Sequence, residues 1–163
     1  MAIKDNRYHE ASEAVDDVLF NRFIMRTMIF NKATRAKTFS HVDYICEDIK
    51  GRTCYVELKR RNFSSTAHDA IFIEPEKFFT LVNRASQWDG IPLYLNFMED
   101  GVLMFDLRKF NPVEVELART RIRNNGYHGV EQDVWRMKLP TKDAIMYKRF
   151  DNGDYIRDNG KID

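Results

Sequence analysis

The sequence predicts a mixed α+β (α/β) domain, with a central mixed sheet flanked by helices in the order α-β-β-α-β-β plus C-terminal strands. Three observations point to it. Apolar residues recur at helical spacing near the N-terminus. Two pairs of alternating stretches are each joined by a turn that ends in Gly. A Pro-led amphipathic segment lies between the pairs.

Taken in order, the first element runs from Tyr8 to about Met28. Val15, Leu19 and Phe23 recur four apart, and Phe20 and Ile24 widen the stripe. NKATRAKTFS then reads as a basic, polar connector. Phe39 to Asp48 and Thr53 to Arg61 read as strands. Ile49-Lys50-Gly51 between them suits a type I turn closed by a left-handed Gly. NFSSTAH is a loop, and DAIFIEP is a short strand or extended entry closed by Pro75. A helix spans Pro75 to Trp88, with Phe78, Phe79, Leu81, Val82 and Ala85 as its apolar face, and WDG ends it. Ile91–Met98 and Val102–Leu107 form a second hairpin around Glu99-Asp100-Gly101. VEVELARTRIR and DVWRMKLP read as strands, while TKDAIMYKRF is ambiguous. Residues 1–150 make one domain. The tail Asp151–Asp163 (DNGDYIRDNGKID), rich in Asn, Asp and Gly, is expected to be flexible.

A chain of 163 residues fits one domain that needs no disulfide or metal to fold. Its formal charge of +1 leaves the choice of a polyanionic partner to the distribution of charge. No apolar run approaches the roughly 18 residues of a membrane span. The polar start MAIKDNRYHE is unlike a signal peptide. Two cysteines without an export signal point to the cytoplasm.

The first hairpin carries an unusual load of charge. With Ile49–Gly51 as the loop, facing residues have numbers that sum to 100. This puts Asp43 opposite Glu57, Ile45 opposite Tyr55 and His41 opposite Lys59. Alternation then places Asp43, Glu57 and Lys59 on one face, and Val42, Tyr44, Cys46, Cys54, Val56 and Leu58 on the core face. Two carboxylates about 4 Å apart at an effective dielectric near 20 repel by about 4 kcal/mol. A hard divalent cation reverses that sign. Lys59 is placed to orient a metal-bound water or to offset charge on a phosphate. The plainer alternative is a solvated face neutralised by Lys59, worth about 0–1 kcal/mol.

The Asp43…Glu57-Leu58-Lys59 pattern, on a hairpin after an N-terminal helix, resembles the PD-(D/E)XK nuclease superfamily. The helix and hairpin that follow resemble it too, so that the likeness covers about Tyr8 to Leu107. It is to small Holliday-junction-resolvase-like or restriction-type endonucleases, with Val42 where the family's name has Pro. The resemblance implies a restriction-endonuclease-like core. It also implies Mg2+- or Mn2+-dependent hydrolysis of phosphodiester bonds in nucleic acid, DNA before RNA. Asp43 and Glu57 would hold the metal, Leu58 would lend its backbone carbonyl, and Lys59 would assist the attacking water. Many relatives add a Glu from the first helix. Glu10 and Glu13 are available here, and Glu13, on the stripe with Phe20 and Ile24, is preferred.

Basic residues flank this pattern. Arg35 and Lys37 precede it, Arg60 and Arg61 follow it, and Arg119, Arg121 and Arg123 alternate along one strand. They read either as a solvated face or as a surface that tracks phosphates. Glu74, Glu76 and Lys77 are first-turn helix charges, with Lys77 able to point toward the charged face. Cys46 and Cys54 face each other as buried thiols. Paired cuts need paired sites, which allows a homodimer. The rival reading is a non-catalytic nucleic-acid-binding or structural protein on the same fold, of the kind a phage or mobile element carries.

Overall fold

All eight residues of the strand Ile91–Met98 are buried, as expected for a near-continuous apolar run in a sheet covered on both faces. The computed structural model describes residues 6–37, 42–123 and 131–158, with side chains over 12–37, 42–121 and 132–158. In chain order the elements are α1 (Asn6–Thr27), β1 (Phe30–Arg35), β2 (Tyr44–Asp48), β3 (Thr53–Arg60), β4 (Ala70–Ile73), α2 (Pro75–Gln87), β5 (Ile91–Met98), β6 (Gly101–Asp106), β7 (Leu117–Arg123), β8 (Glu131–Pro140), β9 (Ile145–Arg149) and β10 (Tyr155–Arg157). Among the described residues no helix is long and apolar enough to cross a membrane.

The main sheet has the strand order β1-β2-β3-β5-β6-β9-β10. β3 and β5 pair in parallel, from Cys54↔Ile91 to Arg60↔Phe97, and the other neighbours pair antiparallel. The parallel pair requires the long connection through β4 and α2. A smaller sheet has the order β4-β8-β7, and its Ile71, Ile73, Met137 and Leu139 share a core with the main sheet. The fold class is therefore mixed α+β with a mixed central sheet.

Two cores result. On one face, Phe20 and Phe23 of α1 pack with Tyr44, Cys46, Cys54, Val56 and Leu95. Phe23 meets the rings of Phe97, Tyr147 and Tyr155 edge-on, with centroids 5.9, 5.2 and 5.3 Å away. On the other face, Phe78, Leu81 and Ala85 of α2 pack with Tyr55, Tyr94, Phe105, Met137 and Leu139. Both cysteines are free and buried, and burial pushes the Cys46 thiol up to about 12.

Several sequence expectations change. The segment read as a connector contains β1, an edge strand whose mostly exposed side chains hide its periodicity. Its register with β2 shifts between Phe30 and Lys32. TKDAIMYKRF divides into a short 3-10 turn at Thr141–Asp143 and strand β9. The tail expected to be flexible contributes β10, anchored by buried Tyr155, so the core extends past residue 150. Val15 at 44% exposed and Phe79 at 45% lie on the surface, not in the core. The strand expected from Phe39 begins, within the described residues, at Tyr44, and 39–41 lie outside them.

Candidate functional site

The β2–β3 ladder keeps the expected register from Glu47↔Thr53 to Tyr44↔Val56. Gly51 closes its turn with φ 77. At Asp43 the ladder breaks. The Asp43 N–H donates to the Val56 carbonyl at 2.9 Å, although Val56 already faces Tyr44. Two residues thus oppose one, a β-bulge that re-aims a side chain. The freed Leu58 N–H donates instead to Asp43 Oδ2 at 2.7 Å. The bulge corrects the simple alternation: Val42 packs with Tyr55, Phe78 and Tyr94, across the sheet from the face that holds Tyr44 and Val56.

Glu57 is 5% exposed. Burial, then the negative charge of Asp43, raises its pKa from 4.5 to about 7, against the opposing pull of Lys77 and Lys59. Lys77, in the first turn of α2, forms an ion pair with Glu57 Oε1. Burial works against the Lys77 charge, but Glu57 outweighs it and its pKa rises. Lys59 lines the same pocket as Glu57 and Lys77, together with Arg61, Glu74 and Arg136. It keeps exposed surface, yet the protein around its amine, followed by Lys77 and Arg61, lowers its pKa. Glu57 and Lys59 thus share one pocket, and the charge of Asp43 reaches it from the bulge.

Among the described residues of α1, Asp16 is an acid that feels Asp43. Burial raises its pKa, Arg60 pulls it back, and Asp43 adds a further rise. Arg60 Nε lies 2.6 Å from Asp16 Oδ1, and its NH2 donates to Ser12 Oγ at 2.6 Å. Glu13 is exposed and sits 3.6 Å from Arg35. Arg35 also pairs with Asp17, which accepts from the Tyr44 hydroxyl. The side chain of Glu10 lies outside the described residues. The sequence did carry a signal for Asp16: it precedes Phe20 by four and Phe23 by seven, on the stripe that faces the sheet.

Arg61 lies at the pocket wall with its guanidinium already engaged. Nε donates to Asn96 Oδ1 at 3.0 Å, and NH2 donates to the Phe72 carbonyl at 2.9 Å and the Tyr94 hydroxyl at 3.0 Å. Arg136 of β8 closes the pocket 3.9 Å from Glu74. Of the other basic residues, Lys37 is exposed. Arg119 and Arg121 project from β7 at 64% and 69% exposure, each 3.6 Å from Asp133. The side chain of Arg123 lies outside the described residues. Arg35, Arg60 and Arg61 serve intramolecular contacts, and Arg119 and Arg121, although each pairs with Asp133, keep most of their side-chain surface exposed.

Among the described residues no cluster of three or more His, Cys, Asp or Glu side chains is arranged to hold a metal ion. Two carboxylates and a carbonyl suit Mg2+, which keeps several of its own waters. The raised pKa of Glu57 comes first from burial and then from the negative charge of Asp43, with Lys77 and Lys59 pulling it back. No family model matches the chain, and no curated protein matches it. Among solved structures it is similar to Hjc, a Holliday junction resolvase from Archaeoglobus fulgidus. The identity is 14%, over 77% of this chain and 79% of that one, with a TM-score of 0.46.

Proposed function

We propose that the protein is a metal-dependent nuclease that hydrolyses phosphodiester bonds in DNA. The observation that carries the reading is the acidic pair at the bulge: Asp43, fixed by the Leu58 N–H, beside the buried Glu57, with Lys59 two residues on along the same strand. Asp43, Glu57 and the Leu58 carbonyl would hold Mg2+ or Mn2+. That ion supplies a water of lowered pKa and a counter-charge for the phosphoryl oxygens. The Leu58 N–H orients the Asp43 carboxylate. Lys59, with its lowered pKa, positions the attacking water and offers a proton donor within the pocket. Asp16, held by Arg60, is an α1 acid within electrostatic reach of Asp43. Arg119 and Arg121 present charge suited to a phosphate backbone.

The test is cleavage of single-stranded, duplex and branched DNA, and of RNA, with Mg2+ or Mn2+. Activity lost in Asp43→Asn and Lys59→Ala, with the fold intact by circular dichroism, supports the reading. Cleavage of none of these substrates overturns it. A second reading, a nucleic-acid-binding protein without catalysis, is favoured by one observation: Lys77 already neutralises Glu57. Salt-dependent binding without Mn2+ binding would select it.

A further inference from the structure

The Lys77–Glu57 pair is unequal. The Glu57 side chain is 7% exposed and the Lys77 side chain 50%. Glu57 projects from β3, a strand inside the main sheet, and is almost wholly buried. Lys77 reaches water by a change of rotamer at little desolvation cost. A cation in the first turn of α2 also opposes the helix dipole, and Lys59, Arg61 and Arg136 crowd the same pocket. What draws Lys77 inward is its ion pair with Glu57, helped by the negative charges of Asp43 and Glu74. The pocket encloses about 20 Å3, room for one or two waters. The Lys77 ammonium already sits on Glu57 Oε1, the oxygen a metal ion with its own waters would need.

We propose that Lys77 occupies the cation position of the Asp43–Glu57 pair in the metal-free protein, and that a divalent ion binds by displacing it. This rests on the metal-site reading above and adds its regulation. Loading is an exchange of one positive charge for another, so the acids are never left bare in the core. Empty, the site stays folded and closed. Loaded, the Lys77 ammonium swings toward solvent.

Two measurements on the full chain test this. Calorimetric Mn2+ titration of wild type, Lys77→Gln and Lys77→Arg is expected to give Kd about tenfold lower for Lys77→Gln, in keeping with couplings of close charge pairs. Lys77→Arg, which keeps the charge, should not gain. In wild type, mass-spectrometric labelling of Lys77 by an amine-reactive ester should rise on adding Mn2+, and should not rise in Asp43→Asn. Equal or weaker Mn2+ affinity in Lys77→Gln, or Lys77 labelling unchanged or reduced by Mn2+, overturns the exchange while leaving the metal site standing. Mn2+ bound by neither wild type nor Lys77→Gln overturns both the site and the exchange.

Discussion

Asp43 Oδ2 accepts a hydrogen bond from the backbone N–H of Leu58 at 2.7 Å. The side chain takes the place of a ladder carbonyl that the bulge has moved away, and so its carboxylate is held beside the strand that carries Glu57. The bond separates structural from chemical roles at this position. An Asn oxygen still accepts from Leu58, so Asp43→Asn should unfold within about 1 kcal/mol of wild type. Asp43→Ala leaves the N–H unpaired and should cost about 1–3 kcal/mol. Both should lower cleavage about 100-fold or more, as loss of several kcal/mol of metal-borne charge stabilisation implies. Chemical denaturation beside a cleavage assay checks it.

The pH response of stability follows from Glu57. Its folded-state pKa, about 7, lies above the ordinary 4.5. Protonation therefore favours the folded state. The contribution is complete below about 4.5 and is lost as pH rises through about 7. Glu57→Gln removes this loss. Without metal it should be more stable than wild type at pH 8, on the order of 3 kcal/mol, and the gain should vanish near pH 4. Urea denaturation at both values is the measurement. Mn2+ affinity of wild type should rise over the same window, because the ion takes the ionised carboxylate.

Gly101 opens β6 where the sheet leaves no space. A Cβ there would lie 2.1 Å from the Tyr147 carbonyl oxygen, a backbone atom that cannot step aside without breaking the β6–β9 ladder. Gly101→Ala should destabilise by more than about 3 kcal/mol, beyond the usual range for a point substitution. Thermal unfolding measures this, and Gly51→Ala, with open space around it but a positive φ, should cost about 1 kcal/mol.

Removing Arg119 and Arg121 tests the outward basic pair. In the double Gln variant, the slope of log K against log salt for DNA binding should fall by about 2, one for each lost phosphate contact. The Mn2+ affinity should stay unchanged. Binding should be measured with Ca2+ in place of Mg2+ so that the substrate stays intact.

Elements with strong local signals were legible in the sequence. Pro75 and the Phe78–Ala85 stripe specify α2, and the Gly-ended turns at Gly51 and Gly101 specify the hairpins β2–β3 and β5–β6. β1 was hidden because an edge strand with solvated side chains has no apolar period to read. β10 was hidden because three residues among Asn, Asp and Gly gain their order from pairing with β9. Asp16 was passed over for Glu13 because both stand at helical spacing before Phe20, and only the packing of Phe20 and Phe23 on the sheet tells them apart.

The sequence by itself determined the pairing register of the β2–β3 hairpin, its acidic and basic residue types, and the helix that follows, because each depends on near neighbours along the chain. Tertiary structure alone decided that Glu57 is buried, that Asp43 turns on a bulge, and that Lys77 arrives from α2 to pair with Glu57. The reason is desolvation. A charge alters its neighbour strongly only where packing has removed water, and that packing brings together β3, α2 and the β4-β8-β7 sheet from distant parts of the chain.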